Sequence, residues 1–87
     1  AHVMTQLLYF SWVREKLGKD GEEIALPVSI ATVGELLDWL ASRSPAHAAA
    51  LADRSRLRVA VNQEFADDYT PVGPADEVAV FPPVTGG

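Results

Sequence analysis

The sequence closes on Phe81-Pro82-Pro83-Val84-Thr85-Gly86-Gly87. Its chemistry is that of a free α-carboxylate carried on two residues without side chains. Gly86 and Gly87 have no Cβ, so they can thread a channel too narrow for other residues and bring the carboxylate to another protein's active site. With an ordinary pKa of about 3.3–3.7, that group is an anion at neutral pH and can attack a phosphorus centre. Pro82 and Pro83 hold φ near about −65°, offer no N–H to a neighbouring strand and keep the start of the tail extended. Fully stretched, Pro82 to Gly87 spans roughly 20 Å, at about 3.3–3.6 Å per residue. A diglycine alone fits an unstructured chain end equally well. The rest of the sequence separates the two readings.

No other group offers comparable chemistry. The chain has no cysteine, which excludes disulfides, thiolate nucleophiles and cysteine-ligated zinc. His2 falls in Ala1-His2-Val3, which precedes Met4 and reads as an expression remnant. His47 lies in an alanine-rich segment with no neighbouring carboxylate or second imidazole, and reads as a solvated helix residue rather than a metal ligand. Glu22 and Glu23 are consecutive in a strand-like run and therefore point to opposite faces, unfit for joint acid–base work. Asp67-Asp68 reads as a turn rather than a cation site. Neither Gly18–Gly21 nor Gly73-Pro74 has the spacing of a phosphate-binding loop. No bound metal or cofactor is expected.

Eighty-seven residues, 48% of them hydrophobic, with a net charge of −5, describe one small packed domain. The acidic balance argues against nucleic acid as a ligand and favours basic protein partners. With no membrane-length apolar run and no signal-peptide pattern, a cytoplasmic location and no membrane partner are expected.

The elements that must position the tail are legible in outline. Thr5–Phe10 reads as a strand, followed by a short helix, Trp12–Leu17, with Ser11 as its N-cap and Gly18 as its stop. A turn at Lys19-Asp20-Gly21 leads to a second strand, Glu22–Leu26, ended by Pro27. Thr32-Val33-Gly34-Glu35 is a capping box, and Val33, Leu36, Leu37 and Leu40 then form one apolar stripe. Ser44-Pro45 opens a further helix, Ala46–Ala52. Leu57–Val61, a turn near Asn62-Gln63, Glu64–Ala66 and Glu77–Phe81 complete the strands. This order predicts an α+β fold with a mixed sheet of four to five strands, helices on one face and a protruding C-terminal tail. The domain is expected over residues 4–81, the flexible tail over 82–87 and the remnant over 1–3. In a β-grasp arrangement the first and last strands would lie parallel at the sheet centre, which accounts for their apolar content. Phe10, Phe65 and Phe81 sit at strand ends or in a short strand, where core packing and a surface docking patch are both open.

Taken together, Leu7-Leu8-Tyr9-Phe10 with Val13-Arg14-Glu15, Thr32-Val33-Gly34-Glu35-Leu36, Val61-Asn62-Gln63 and Asp76 through Gly87 resemble the small, sulfur-carrier subunit of molybdopterin synthase. The likeness spans Met4 to Gly87. Its specific part is the ending, an apolar strand followed by Phe-Pro-Pro-Val-Thr-Gly-Gly. Pro74-Ala75-Asp76 departs from the usual pattern of that turn, where Gly commonly precedes Asp.

The resemblance implies a ubiquitin-like sulfur carrier. The Gly87 carboxylate would be adenylated by an ATP-dependent activating enzyme, converted to a thiocarboxylate by a sulfur donor, and delivered on the tail Pro82, Pro83, Val84, Thr85 and Gly86 into the large synthase subunit. There its sulfur would pass to cyclic pyranopterin monophosphate, within a heterotetramer of two copies of each subunit. ATP would be used by the activating enzyme, with no cofactor bound by this chain. Phe10, Phe65 and Phe81 match the residues of such proteins that face their partners. Two other readings stay open, a sulfur carrier for thiamine or cysteine synthesis and a non-enzymatic β-grasp interaction or modifier protein.

Overall fold

The computed structural model describes residues 3–83. Its elements run β1 (Thr5–Tyr9), α1 (Ser11–Leu17), β2 (Gly21–Ile24), α2 (Val33–Ala41), α3 (Pro45–Ala50), a 3₁₀ turn at Arg54–Arg56, β3 (Arg58–Val61), β4 (Glu64–Ala66) and β5 (Glu77–Phe81). The five strands form one mixed sheet in the order β2-β1-β5-β3-β4. β1 and β5 are parallel neighbours, with Leu7 opposite Val78 and Tyr9 opposite Val80. The remaining pairs are antiparallel.

Alternation along the central strands sorts their side chains to two faces. Thr5, Leu7 and Tyr9, Val59 and Val61, and Val78 and Val80 are buried, while the residues between them are partly or wholly exposed. The buried face meets Val13 and Leu17 of α1, Val33, Leu36, Leu37 and Leu40 of α2, and Ala50 of α3 in one core. Helices therefore cover one face, as the patterning requires, and the other face stays open.

The capping box is present in full: Thr32 accepts from the Glu35 amide, and the Glu35 carboxylate accepts from the Thr32 amide. Ser44 caps α3 by accepting from the His47 amide, with Pro45 in the first turn.

Several boundaries differ from the sequence reading. Phe10, in extended conformation, occupies the N-cap of α1 without a side-chain cap bond, and Ser11 is already the first helical residue at φ 56°. The Ser11 hydroxyl is thus one position too late to cap. α3 ends at Ala50 rather than Ala52. β2 begins at Gly21 and ends at Ile24, because its last partner, Thr5, is where β1 begins. Gly21 is accordingly a strand residue opposite Leu8, not part of the turn. A Cβ placed there would lie 2.3 Å from the Leu7 carbonyl oxygen, so the two backbones approach too closely for any side chain. Gly21→Ala should lower folding stability by roughly 1–3 kcal/mol, the cost of forcing packed backbone apart, measured as a shift in the urea midpoint at constant slope.

Candidate functional site

The site is built at the end of the sheet where β5 terminates. Phe81 is the last residue of β5, and Pro82 and Pro83, lacking N–H groups, cannot extend its ladder. The parallel pairing carries β1 to the same end: the Phe10 amide donates to the Val80 carbonyl at 3.2 Å. Phe10 and Phe81 thus stand side by side, each on the open face by alternation.

Phe65 reaches this face through a tight hairpin. Asn62 and Gln63 both have positive φ, 51° and 71°, the conformation of a two-residue turn whose twist matches the flanking strands. Asn62 is anchored to the start of β5: its amide donates to the Glu77 carbonyl at 2.8 Å, its side-chain oxygen accepts from the Glu77 amide and its side-chain nitrogen donates to Asp76. This fixes the register that puts Phe65 opposite Ala60. Phe65 then meets Phe81 at a ring-centroid distance of 6.1 Å, tilted by 51°.

The three phenylalanines of the sequence reading therefore come together on one surface, and the core-packing alternative fails for two of them. Phe65 is 82% and Phe10 47% exposed, while Phe81 is half-buried between its neighbours. Sequence reasoning missed Leu8, Ala60 and Ala79, which share this face and line up across the strands. The signal was available, since each lies two positions from, or between, residues already assigned to a strand face. The result is a contiguous apolar strip leading to the tail. Val84, Thr85, Gly86 and Gly87, the residues expected to carry the chemistry, lie outside the described residues.

The opposite face holds a polar cluster that the sequence reading did not foresee. His47 is not a solvated helix residue; it is buried, with Nε2 2.9 Å from Glu22 Oε2 and Nδ1 2.7 Å from Ser44 Oγ. The carboxylate is 25 positions away in sequence, and only the packing of α3 on α1 and α2 brings His47 within reach of it. Tyr9 donates its hydroxyl to the same Glu22 oxygen at 2.6 Å. Lys19 and Arg43 approach the other oxygen at 3.5 and 3.6 Å. Burial pushes the Glu22 carboxyl up, but hydrogen bonds from His47 and Tyr9 and the charge of Lys19 outweigh it, leaving the group below the usual carboxylate range. Burial, then the bond to Glu22, raises the Tyr9 phenol well above its ordinary value, so it remains a donor.

The cluster ties α3 to the β1–β2 pair on the helix-covered face of the sheet. Among the described residues, no group of three or more His, Asp or Glu is placed to hold a metal ion. No helix among them is long and apolar enough to cross a membrane.

A one-sided sheet of this order, with an apolar open face beside the end of its last strand, defines a ubiquitin-like β-grasp protein. The sequence model of the ThiS family matches residues 7–87, and the chain belongs to that family. The molybdopterin synthase sulfur carrier subunit of Escherichia coli (strain K12) is 43% identical over 84 residues, covering 97% of this chain and 100% of that protein. Among solved structures, SAMP1 from Haloferax volcanii superposes with a TM-score of 0.72 at 30% identity, over 97% of this chain and 99% of that one. A putative molybdopterin converting factor subunit 1 from Pyrococcus furiosus gives a TM-score of 0.76 at 28% identity, over 94% of this chain and 99% of that one.

The Glu22 cluster has a pH signature. A carboxyl whose folded-state pKa lies below its unfolded value contributes stability above the unfolded value, about 4.3, and loses it as pH falls through the folded one. Glu22→Gln should therefore lower the urea midpoint at pH 7 and make the decline in stability between about pH 5 and pH 3 shallower than in the parent protein.

Proposed function

We propose that this chain is the sulfur carrier subunit of a molybdopterin synthase. The observation that carries the reading is full-length relatedness to a protein of that name, 43% identical across 97% of this chain. The family match itself extends to residue 87 and so includes the diglycine. The open face supplies what a carrier needs besides its carboxylate, a surface on which successive partners seat the domain while the tail enters their active sites.

In this reading a Gly87 carboxylate oxygen attacks the α-phosphorus of ATP in an activating enzyme, releasing pyrophosphate. A sulfide equivalent from a sulfur donor then displaces AMP from the acyl-adenylate, leaving a thiocarboxylate. The large subunit takes the loaded tail and transfers the sulfur to cyclic pyranopterin monophosphate. The carrier contributes no acid, base or metal to these steps. Its prolines limit the conformational freedom lost when the tail orders inside a partner, and its glycines grant access. Delivery to thiamine or cysteine synthesis has no comparable support, since the E. coli relative carries the molybdopterin synthase name. The likeness to SAMP1 favours one second reading, in which the same activated end is joined to lysine amines.

Intact mass after incubation with the activating enzyme, ATP and a sulfur source tests the proposal. The protein should gain the oxygen-to-sulfur mass difference, and a variant lacking Gly86-Gly87 should not, with its fold unchanged. Consumption of ATP without that mass change, or appearance of lysine conjugates in its place, overturns it. Phe65→Ala should weaken binding to the large subunit by about 1–2 kcal/mol, as truncation of a docking aromatic does, while the melting temperature holds because the side chain is mostly exposed. A large fall in melting temperature with unchanged affinity would assign Phe65 to the core.

A further inference from the structure

The tail exit carries a charge pattern that sulfur transfer does not use. The chain has a net charge of −5, yet its end of the open face is cationic. Arg58 lies directly opposite Phe81 in the β3–β5 register, and both Arg56 and Arg58 are exposed. Most other cations are engaged: Arg14 with Asp20, Lys19 and Arg43 with Glu22, and Arg54 with Asp38 and Asp68. Arg56 and Arg58 enter no ion pair among the described residues. Carboxylates in their neighbourhood are turned to their own loops, Asp53, close in sequence, accepting from Ser55, and Asp67, which lines the same cavity as Arg58, accepting from Tyr69 and Thr70.

Both guanidiniums are nevertheless held. Arg58 donates from Nη1 to the Leu57 carbonyl at 2.8 Å, and Arg56 sits 5.2 Å from the centroid of the Trp12 ring. A planar cation fixed by stacking or a backbone bond loses less freedom on binding than a free lysine, and sheds its hydration more readily. The acids of the open face stand at the other end of the strands, Glu23 and Glu77 both beside Gln6. The face is thus graded from acidic, through the apolar strip, to Arg58 at the exit, with Arg56 beside it over Trp12 at the start of α1.

We propose that Arg56 and Arg58 form a cationic collar that recognises carboxylates on the large synthase subunit, at the mouth of the channel receiving the tail. The proposal rests on the function given above and adds the chemistry of the partner's rim. The charge gradient orients the encounter, so that the tail end of the face, not its acidic end, meets the channel. Charges at an interface rim act chiefly on association rate and salt dependence.

The test measures binding of the full chain to its large subunit at low and high salt. Arg56→Glu combined with Arg58→Glu should weaken binding at least about tenfold at low salt, mainly through a slower on-rate, and the difference should shrink at high salt. The double Lys variant should retain most of the parent affinity. Lys16→Glu, half the charge change of the double variant at an exposed position on α1, should leave binding near the parent value. If Phe65→Ala weakens binding but the double Glu variant binds like the parent with the same salt dependence, the collar is refuted and open-face docking stands. If Lys16→Glu weakens binding by at least the square root of the double Glu variant's factor, the share its charge change alone would give, net charge and not the collar is responsible. If neither Phe65→Ala nor the double Glu variant weakens binding, docking through this face fails, and the collar with it. Circular dichroism and melting of each variant verify the fold; Arg56→Gln with Arg58→Gln replaces the double Glu variant should that one unfold, with a weaker effect in the same direction expected.

Discussion

The parallel pairing of β1 with β5 is the constraint on which the rest depends. Parallel neighbours need a crossover rather than a hairpin, and here everything from α1 to β4 lies between them in the chain. Because the two strands run the same way, they end together. That brings Phe10 beside Phe81 and gives the tail an origin at the sheet's centre, where the backbone is paired on both sides. A tail leaving an edge strand would have a mobile root. This one leaves from a strand bonded to β1 and β3 alike.

The second consequence of that centre is the division of labour between faces. The buried face takes all three helices, and the Glu22 carboxylate, with its four partners Tyr9, His47, Lys19 and Arg43, sits between the sheet and α3 on the same side. What remains open is short in side chains at its middle, Ala60 and Ala79, flanked across the strands by Leu8 and Phe65, with Phe10 and Phe81 toward the tail. Small residues flanked by aromatics make a shallow apolar seat. The seat and the root of the tail, Pro82-Pro83, therefore adjoin at the end of β5.

Local features were legible in the sequence because their physics is local. The capping box over Thr32–Glu35, the αL stop at Gly18 and the alternation of Val78 and Val80 each involve residues within a turn or a strand of one another. The fold class followed from their order. Features that depend on register or packing were not legible. The Phe65–Phe81 contact needs the positive-φ turn at Asn62-Gln63 to set which residue faces Ala60. The surroundings of His47 need α3 docked on α1 and α2 so that its ring reaches Glu22 of β2, which no window of sequence contains. A summed charge of −5 pointed to basic partners, but a sum carries no positions, and Arg56 and Arg58 are grouped by the start of β3. The tail chemistry was read from residue types alone, and its last four residues lie beyond the described structure.

Parallel strands also share their beginning. Gln6 stands opposite Glu77, so the segment ahead of Thr5 departs from the pole of the sheet opposite to Phe81. The domain is in effect a bead with its two leads at opposite ends, separated by about one strand length. Sequence attached ahead of β1 starts from the end of the sheet away from Phe81 and Pro82. Surface attachment, labels or neighbouring domains are geometrically permitted there without obstructing the leading end.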